Sequence, residues 1–188
     1  MLKLYHVYPK AISVDKCSEI IRRGMDLPPQ DASIGFTNDR VDNSYRISTV
    51  RWFYEPENKD ISNLIMSHAV FANREFFGFD ITYGSHELQF TEYYGTNSGK
   101  YDWHHDVFWE NKRYHDRKLS VVIQLNDPST YSGGNFEFRM PHDPSELALF
   151  RQQGSILVFP SFFEHRVTPV TNGTRYSLVS WVDGPKFR

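Results

Sequence analysis

The sequence predicts a mainly β protein in which short strands form a sandwich or barrel, with a few helices packed outside. Helical periodicity is confined to the first half of the chain, whereas the second half alternates short β-forming segments with turn residues. A length of 188 residues suits one domain with a substantial core. No linker, repeat or low-complexity segment divides the chain. We therefore expect a single domain over 1–188, with a helical layer over about 1–80 and a β core over about 81–185.

Two helices are predicted in the first half. Ser13 is a suitable N-cap for the first, and Gly24 is predicted to end it. The apolar face of this helix carries Val14, Cys17, Ile20 and Ile21. The second helix is predicted over about 60–76, with Gly78 just beyond its end. Its inward face carries Ile61, Leu64, Ile65, Ala69 and Ala72.

Strands are predicted from segments rich in β-branched and aromatic residues. The segment YRISTVRWFY lies between the two helices. The later segments are HELQFTEYY, KYDWHHDVF, KLSVVIQLN, GNFEFRM, GSILVFPS, HRVTPV and TRYSLVSWV. Turn residues separate most of them, in GTNSG, NDPSTYSGG, PHDP and TNG. Many short strands at this spacing are typical of a β-sandwich or barrel.

Composition excludes several classes of function. A net charge of −2 and a pI of about 6.4 leave no general electrostatic footprint for nucleic acid. The single cysteine, Cys17, excludes an internal disulfide framework and favours a reducing compartment. Neither a secretion signal nor an apolar run of membrane-spanning length is visible. These observations predict a soluble, intracellular, cytoplasmic protein with no membrane contact.

The segment YDWHHDVFW carries the first candidate metal ligands. Successive side chains of a strand point to opposite faces, so Asp102, His104 and Asp106 would share one face. His105 would point to the other face. The segment therefore offers either Asp102 with His104, or His104 with Asp106, as two ligands directed at one point.

A distant histidine and arginine extend this candidate site. A facial Fe(II) site needs two histidines and one carboxylate, and His165, at the start of a strand, can supply the third ligand. Arg175 lies ten residues later in an otherwise apolar strand, where burial favours pairing with an anion such as a small dicarboxylate. Ser177 shares its strand face and could donate to the same carboxylate. An ion pair between Arg175 and Asp183, or another acidic neighbour, is the alternative.

The remaining histidines have simpler interpretations. They are predicted to be satisfied core residues or to lie at surfaces and loop ends, rather than to bind metal. This group comprises His6, His68, His86, His115 and His142.

Taken together, HHD, YSGGNFEF and GSILVFPSFFEHRVTPVTNGTRYSLVSWV resemble the Fe(II)- and 2-oxoglutarate-dependent dioxygenases, above all their prolyl 4-hydroxylase-like group. The resemblance covers roughly residues 45–185. It implies a double-stranded β-helix, or jelly-roll, core. It also implies that His104, Asp106 and His165 bind Fe(II) and that Arg175 binds the distal carboxylate of 2-oxoglutarate.

The resemblance implies further contacts to the co-substrate and the substrate. Tyr93, or alternatively Tyr94, corresponds to a tyrosine that contacts 2-oxoglutarate. Gln124 stands where some relatives have a tyrosine that binds the co-substrate, which is a departure from the pattern. Three residues correspond to positions near the substrate: Tyr101, Arg117 and Trp181. Packing in the core is the alternative role for each aromatic residue.

The function implied by the resemblance is hydroxylation of an unactivated C–H bond, with O2 consumed and succinate and CO2 released. The expected substrate is peptidyl, prolyl by resemblance, or an amino acid. The competing hypotheses are a non-catalytic jelly-roll binding module and a metal-dependent hydrolase on a β-barrel, which would leave Arg175 unexplained. Substrate selectivity is expected in the loops Ile34–Asn43 and Val107–Asp116.

Overall fold

The computed structural model of the protein describes residues 3–34, 41–82, 87–107, 109, 114–140 and 143–188. The helices are α1 (Val14–Met25), α2 (Lys59–Ala72) and α3 (Pro144–Phe150). The strands are β1 (His6–Tyr8), β2 (Gln30–Asp31), β3 (Arg46–Ile47), β4 (Thr49–Tyr54), β5 (Glu87–Tyr94), β6 (Lys100–His104), β7 (His115–Gln124), β8 (Tyr131–Gly133), β9 (Phe136–Phe138), β10 (Ile156–Pro160), β11 (His165–Val167) and β12 (Val170–Pro185). The mainly β prediction is confirmed, while the prediction of one domain over 1–188 stays a prediction.

The described strands form two antiparallel sheets. The major sheet has the order β1-β10-β7-β12-β5-β4-β2, with β8 paired to part of β12. The minor sheet has the order β3-β6-β11-β9. Strands far apart in the chain are neighbours in both sheets, so residues separated by sixty positions or more can meet at one point.

The major sheet is buried on both faces, and alternate residues of β7 show this directly. Leu119, Val121 and Ile123 pack with α1 and α2 in one apolar cluster. Val122, between them, belongs to a second cluster with aromatic residues of β9 and β10. Burial on both faces explains why KLSVVIQLN reads as an almost continuous apolar run rather than an alternating one. The candidate site residues of the major sheet lie on the second face, towards the minor sheet.

Helix α1 begins as predicted but ends differently. The Ser13 hydroxyl accepts a hydrogen bond from the Lys16 backbone N–H, so the predicted N-cap is confirmed. Gly24 is not the terminating residue, because the helix continues to Met25 and is capped by Asp26. Gly24 is instead a point of close approach: a Cβ there would lie 2.8 Å from Cγ of Phe90. The prediction that Gly24 ends the helix is wrong because packing, not a left-handed turn, requires the glycine.

The second predicted helix is confirmed. It comprises α2 and one further π-helical turn over Asn73–Phe77, and it ends at Gly78, which has a left-handed φ of 67°. Four of its five predicted inward residues are buried, and the fifth, Leu64, packs partly buried against the same cluster. No helix in the described ranges is long and apolar enough to cross a membrane.

Several features of the fold differ from the sequence prediction. The predicted turn TNG lies within β12, which bends at Gly173, with a φ of 69°. Helix α3 lies in the second half of the chain, where only strands and turns were predicted. Asp143 caps it by accepting a hydrogen bond from the Ser145 N–H, and Pro144 occupies its first turn. The segment YRISTVRWFY forms two strands rather than one, because the chain passes from the minor sheet to the major sheet at Ser48.

The close packing of Gly24 gives a test of the helix–sheet interface. We expect Gly24→Ala to destabilise the protein, although alanine is normally better than glycine inside a helix by about 1 kcal/mol. Overpacking costs about 1–3 kcal/mol, and the added Cβ would lie 2.8, 2.9 and 3.0 Å from three Phe90 ring atoms, which places the cost in the upper half of that range. The net loss is then about 1–2 kcal/mol. Urea unfolding of the variant measures this loss. The control is Ser18→Ala on the exposed face of α1, which should change stability by less than about 0.5 kcal/mol. An equal or higher stability of Gly24→Ala would contradict the interface.

Candidate active site

Two histidines meet because their strands are neighbours in the minor sheet. His104 is the last residue of β6 and His165 is the first residue of β11, and the two are paired in the antiparallel register. Both side chains are buried, and their ring centroids lie 4.1 Å apart. Sixty residues of sequence separate them, so strand pairing alone brings them together.

Asp106 completes a cluster of three metal-ligating side chains. Its Oδ1 lies 3.9 Å from Nε2 of His104, and its Oδ2 lies 3.7 Å from Nε2 of His165. One ligand atom from each residue lies within 4.8 Å of the others. This is the one such cluster of three or more in the described part of the chain. Two histidines and one carboxylate facing a common point form the donor set of a facial Fe(II) site.

Hydrogen bonds orient the three side chains towards that point. The Nδ1 atom of His104 lies 2.7 Å from the Asp102 carbonyl, and that of His165 lies 2.9 Å from the Phe163 carbonyl. A carbonyl accepts, so each Nδ1 carries the proton and each Nε2 offers its lone pair to a metal. The Ser120 hydroxyl donates to Oδ2 of Asp106 at 2.6 Å and holds the carboxylate in place.

The electrostatic state of the cluster suits metal binding. Burial, reinforced for His104 by the nearby His165, lowers the pKa of both imidazoles, so both remain neutral at neutral pH. Burial would raise the pKa of Asp106, but the neighbouring His165, His104 and Arg117 overcome this effect and lower it to about 2. The cluster therefore presents two lone pairs and one negative charge without having to lose a proton.

Arg175 and the three candidate metal ligands line one cavity, and Arg175 is unusually buried. It is 2% exposed and ranks among the largest fully buried side chains. Its Nε donates to Oε1 of Gln124 at 3.1 Å, whereas Nη2 has no hydrogen-bond partner within the described ranges. No carboxylate of the described residues forms an ion pair with it, and Asp183 pairs instead with His115 at 3.3 Å. The alternative of an Arg175–Asp183 ion pair is therefore wrong.

The residues around Arg175 separate the two candidate tyrosines. Tyr93 lines the cavity, with its ring centroid 5.6 Å from the Arg175 guanidinium carbon. Tyr94 points to the other face of β5, where its hydroxyl donates to Glu92 at 2.5 Å. Gln124 is engaged by Arg175 and by Asn126, so its amide positions the guanidinium. Tyr93 is thus the tyrosine that can reach a ligand bound at Arg175.

A cavity of about 470 Å³ joins the cluster and Arg175 to the remaining predicted residues. Ser177 lines it beside Arg175. The Tyr101 ring stacks on His104 with centroids 3.5 Å apart, and burial raises the pKa of its phenol, which stays neutral. At the other end the Arg117 guanidinium lies 3.6 Å from the Trp181 ring centroid. All the predicted site residues except Gln124 line this one cavity.

Other polar residues of YDWHHDVFW lie outside the cluster. His105 is exposed, and its ring lies 6.2 Å from that of Trp109. Asp102 contributes its carbonyl to His104, while its carboxylate accepts from the Trp103 N–H at 2.8 Å. The strand ends at His104, yet His104 and Asp106 both face inward, as strand parity predicted. Among the histidines that were not predicted to bind metal, His86 and His142 lie outside the described residues. Residues 35–40, 108 and 110–113 of the two predicted selectivity loops also lie outside them.

Several site residues were not predicted. Ser120 and Ser161 hold Asp106, through a hydroxyl and through a carbonyl that accepts the Asp106 N–H at 2.8 Å. Strand parity could have found Ser120, which shares a face of β7 with Val122 and Gln124. Gly134 has a φ of 61°, and a Cβ there would lie 3.0 Å from Cδ of Arg175. Arg46 also lines the cavity, and nothing in its local sequence distinguishes it from a surface arginine.

Comparison with known proteins identifies the family. Residues 88–183, just over half of the chain, match the 2OG-Fe(II) oxygenase superfamily. The chain belongs to this superfamily. A PKHD-type hydroxylase from Teredinibacter turnerae is 33% identical over 89 residues, which cover 46% of this chain and 38% of that protein. The chain therefore matches well under half the length of that relative.

Solved structures of the superfamily show the same fold. A prolyl-4-hydroxylase from Pseudomonas putida has a TM-score of 0.70 and 21% identity, covering 97% of this chain and 93% of that one. A prolyl hydroxylase from Trichoplax adhaerens, solved with a hypoxia inducible factor peptide fragment, has a TM-score of 0.70 and 17% identity, covering 95% and 82%. The predicted jelly-roll core is thereby confirmed.

The superfamily implies Fe(II), 2-oxoglutarate and O2, and the residues present fit the first two. The cluster of His104, Asp106 and His165 has the donor atoms of a facial iron site and leaves the side towards the cavity open. The unpartnered Nη2 of Arg175 is a buried cationic donor that a carboxylate would satisfy. Both features face one cavity, as binding of a single 2-oxo acid requires.

The ligand assignment is tested by comparing two histidine variants. We expect His165→Ala to reduce the affinity for Fe(II) at least about 100-fold, since it removes one of three ligands. His105→Ala, with its exposed side chain outside the cluster, should leave the affinity within about twofold. Anaerobic calorimetric titration of each variant with Fe(II) measures both affinities. Equal losses in the two variants would show that the ligand set is wrong.

Proposed function

We propose that the protein is an Fe(II)- and 2-oxoglutarate-dependent oxygenase that hydroxylates an unactivated C–H bond of a peptidyl, prolyl-like, or amino-acid substrate. Succinate and CO2 would be the co-products. The observation that carries this proposal is the combination of the His104, Asp106 and His165 cluster with a buried, unsatisfied arginine in the same cavity. Two of the similar structures are prolyl hydroxylases, one of them solved with a peptide fragment, and this similarity supports a peptidyl substrate.

In this proposal His104, Asp106 and His165 hold the iron, and Arg175 holds the distal carboxylate of 2-oxoglutarate. When bound, the metal and the 2-oxo acid together activate O2 and supply the oxidant that replaces a hydrogen by a hydroxyl group. The Gln124 amide fixes the guanidinium plane of Arg175 through Nε, so that Nη2 faces the ligand. Ser177 and Tyr93 line the same end and can donate hydroxyl hydrogen bonds to the carboxylate.

The protein residues orient the ligands and exclude water rather than transfer protons. Neutral Nδ1-protonated imidazoles are maintained by two backbone carbonyls, and the Asp106 carboxylate is kept ionised with Ser120 bound to it. Phe136 stacks on His165 at 5.2 Å and Tyr101 stacks on His104, so apolar surface covers both imidazoles. Restricting water around a reactive centre protects it from side reactions.

The substrate would occupy the end of the cavity opposite Arg175. That end carries Trp181 with Arg117 stacked on it, together with Trp52 and Gln89. Tyr101, Arg117 and Trp181 are thus proposed to contact the substrate. A metal-dependent hydrolase would use the same three ligands but would have no use for a deep, unsatisfied Arg175.

The proposal is tested by Fe(II)-dependent conversion of 2-oxoglutarate to succinate, with and without peptide and amino-acid mixtures. We expect slow turnover without substrate, stimulation by some member of the mixtures, and no turnover without Fe(II). Arg175→Met should lower kcat/KM for 2-oxoglutarate at least about 30-fold, because loss of one partner of a buried charge pair costs about 2–5 kcal/mol.

The matched control is Arg139→Met, which removes an exposed arginine paired with Glu164 on the outer face of the minor sheet. It should leave kcat/KM for 2-oxoglutarate within about twofold. Absence of Fe(II)-dependent succinate from the wild-type protein under every condition, together with no binding of 2-oxoglutarate, would refute the proposal. Turnover that survives Arg175→Met would refute the role of that residue.

A further inference from the structure

A second arginine in the cavity is buried without a counter-ion. Arg46 is 6% exposed, although it comes from the two-residue strand β3 at the end of the minor sheet. Its Nε donates to the Ser48 hydroxyl at 3.0 Å and its Nη1 to the Ser33 carbonyl at 3.3 Å. Its Nη2 has no partner in the described part of the chain, and no described carboxylate forms an ion pair with it. The positive charge is therefore hydrogen-bonded but not neutralised.

Arg51 shows how the same fold satisfies an arginine that has a structural role. It is 8% exposed, and its Nε donates to a fully buried carboxylate, Glu92, at 2.7 Å. Its Nη1 donates to the carbonyls of Met25 and Leu27. Arg51 lies on the helix side of the major sheet, away from the cavity, and its charge is neutralised there. Arg46 and Arg175 are the buried arginines that line the cavity, and both leave Nη2 unpartnered within the described ranges.

The position of Arg46 places it beside the metal cluster. Its guanidinium carbon lies 4.3 Å from the centroid of the Tyr101 ring, and the same ring stacks on His104. Tyr101 thus contacts both Arg46 and the His104 imidazole. Arg175 lies in the part of the cavity near Tyr93 and Gln124. The two arginines would therefore contact different parts of the bound ligands.

The charges that line the cavity favour an anionic ligand near Arg46. Among the described residues, the cationic ones that line the cavity are Arg46, Arg117 and Arg175, and the anionic ones are Asp106 and the exposed Glu87. In the proposed function Asp106 serves the metal and Arg175 serves 2-oxoglutarate. Arg46 then remains on the substrate side as a buried positive charge without a counter-ion among the described residues.

We propose that the primary substrate carries a carboxylate that binds Arg46 through its free Nη2, while the neighbouring C–H bond is hydroxylated. This inference rests on the proposed function and narrows its substrate class. A free amino acid, the C-terminal residue of a chain, or an acidic side chain supplies that group, whereas a neutral internal residue such as prolyl does not. A charge-assisted hydrogen bond between this carboxylate and Arg46 would also fix the orientation of the substrate.

A first test asks whether Arg46 is kept for stability. A buried, uncompensated charge opposes folding, and the partners Ser48 and Ser33 are partly exposed, so water can replace the arginine at both. Arg46→Met should therefore unfold at an equal or higher urea concentration than the wild-type protein. Arg51→Met, which leaves the Glu92 carboxylate buried without a counter-ion, should unfold at a clearly lower urea concentration. A loss for Arg46→Met as large as that for Arg51→Met would assign Arg46 a structural role and overturn the proposal.

The decisive experiment uses the protein loaded anaerobically with Fe(II) and saturating 2-oxoglutarate, so that Arg175 is occupied. If Fe(II) and 2-oxoglutarate do not bind, the proposed function itself is refuted, and this outcome is distinct from a failure of the probes to bind. The probes are the twenty N-acetyl amino acids as free acids and the same compounds as carboxamides, in which aspartate and glutamate retain a side-chain carboxylate. Binding is followed by the thermal unfolding midpoint and by the visible absorption of the iron–2-oxoglutarate complex.

We expect at least one free acid to bind at least tenfold more tightly than its carboxamide. Arg46→Gln should remove that preference, Arg46→Lys should retain part of it, and the exposed Arg139→Gln should leave it unchanged. Tight binding of the aspartate or glutamate carboxamide would identify a side-chain carboxylate as the recognised group. Equal binding of acid and carboxamide for every probe without a side-chain carboxylate, together with no tight binding of the aspartate or glutamate carboxamide, would overturn the proposal. So would no binding of any probe, or carboxylate-dependent binding that survives Arg46→Gln.

Discussion

The burial of an arginine without a counter-ion is the constraint around which the site is organised. Arg175 emerges from the centre of β12, the longest strand, between β5 and β7 of the major sheet. Its Nε hydrogen bond to Gln124 holds the guanidinium in position but supplies no negative charge. Such an arrangement is unfavourable for the isolated protein and becomes favourable once an anion binds. Arg175 lines the same cavity as the metal-ligating cluster, and Gly134 leaves room for its side chain.

Sheet register explains how residues distant in sequence form one site. His104 and His165 lie opposite each other in β6 and β11, while Asp106 follows directly after β6 and is held by Ser120 from β7 of the facing sheet. The candidate site thus bridges both sheets, with His104 and His165 on the minor sheet and the residues proposed to bind 2-oxoglutarate on the major sheet. A change in register of one residue in β11 would turn His165 out of the cavity.

Much of the site follows from local sequence. Strand parity correctly placed His104 and Asp106 inward, and the isolated position of Arg175 in an apolar strand indicated a ligand-binding role. Helix caps were readable at Ser13, and the same reasoning applied to Asp143 and Pro144 would have found α3. The choice between Asp102 and Asp106 needed family resemblance, because a free strand offers both pairs equally.

The remaining features depend on tertiary contacts that local patterns do not encode. Gly24 looked like a helix terminator, but its role comes from Phe90, more than sixty residues away. Arg46 and Arg51 are five residues apart and equally buried, yet one is neutralised by Glu92 and the other is not. Arg46 lies in the minor sheet and faces the cavity, whereas Arg51 lies in the major sheet and faces Glu92. The segment YRISTVRWFY gives no sign that the chain changes sheet between these two arginines.

The central claim is that Arg175 is buried for a ligand rather than for the fold, and unfolding with and without that ligand tests it most directly. Without ligand, Arg175→Met should lie within about 1 kcal/mol of the wild-type free energy of unfolding, far from the roughly 3–5 kcal/mol lost when a buried ion pair is broken. With Fe(II) and 2-oxoglutarate under anaerobic conditions at about 100 times the dissociation constant, the wild-type protein should gain about 2.7 kcal/mol beyond the effect of Fe(II) alone. The variant should gain almost none of this increment. A large loss of stability in the unliganded variant, or an equal 2-oxoglutarate increment in both proteins, would contradict the claim.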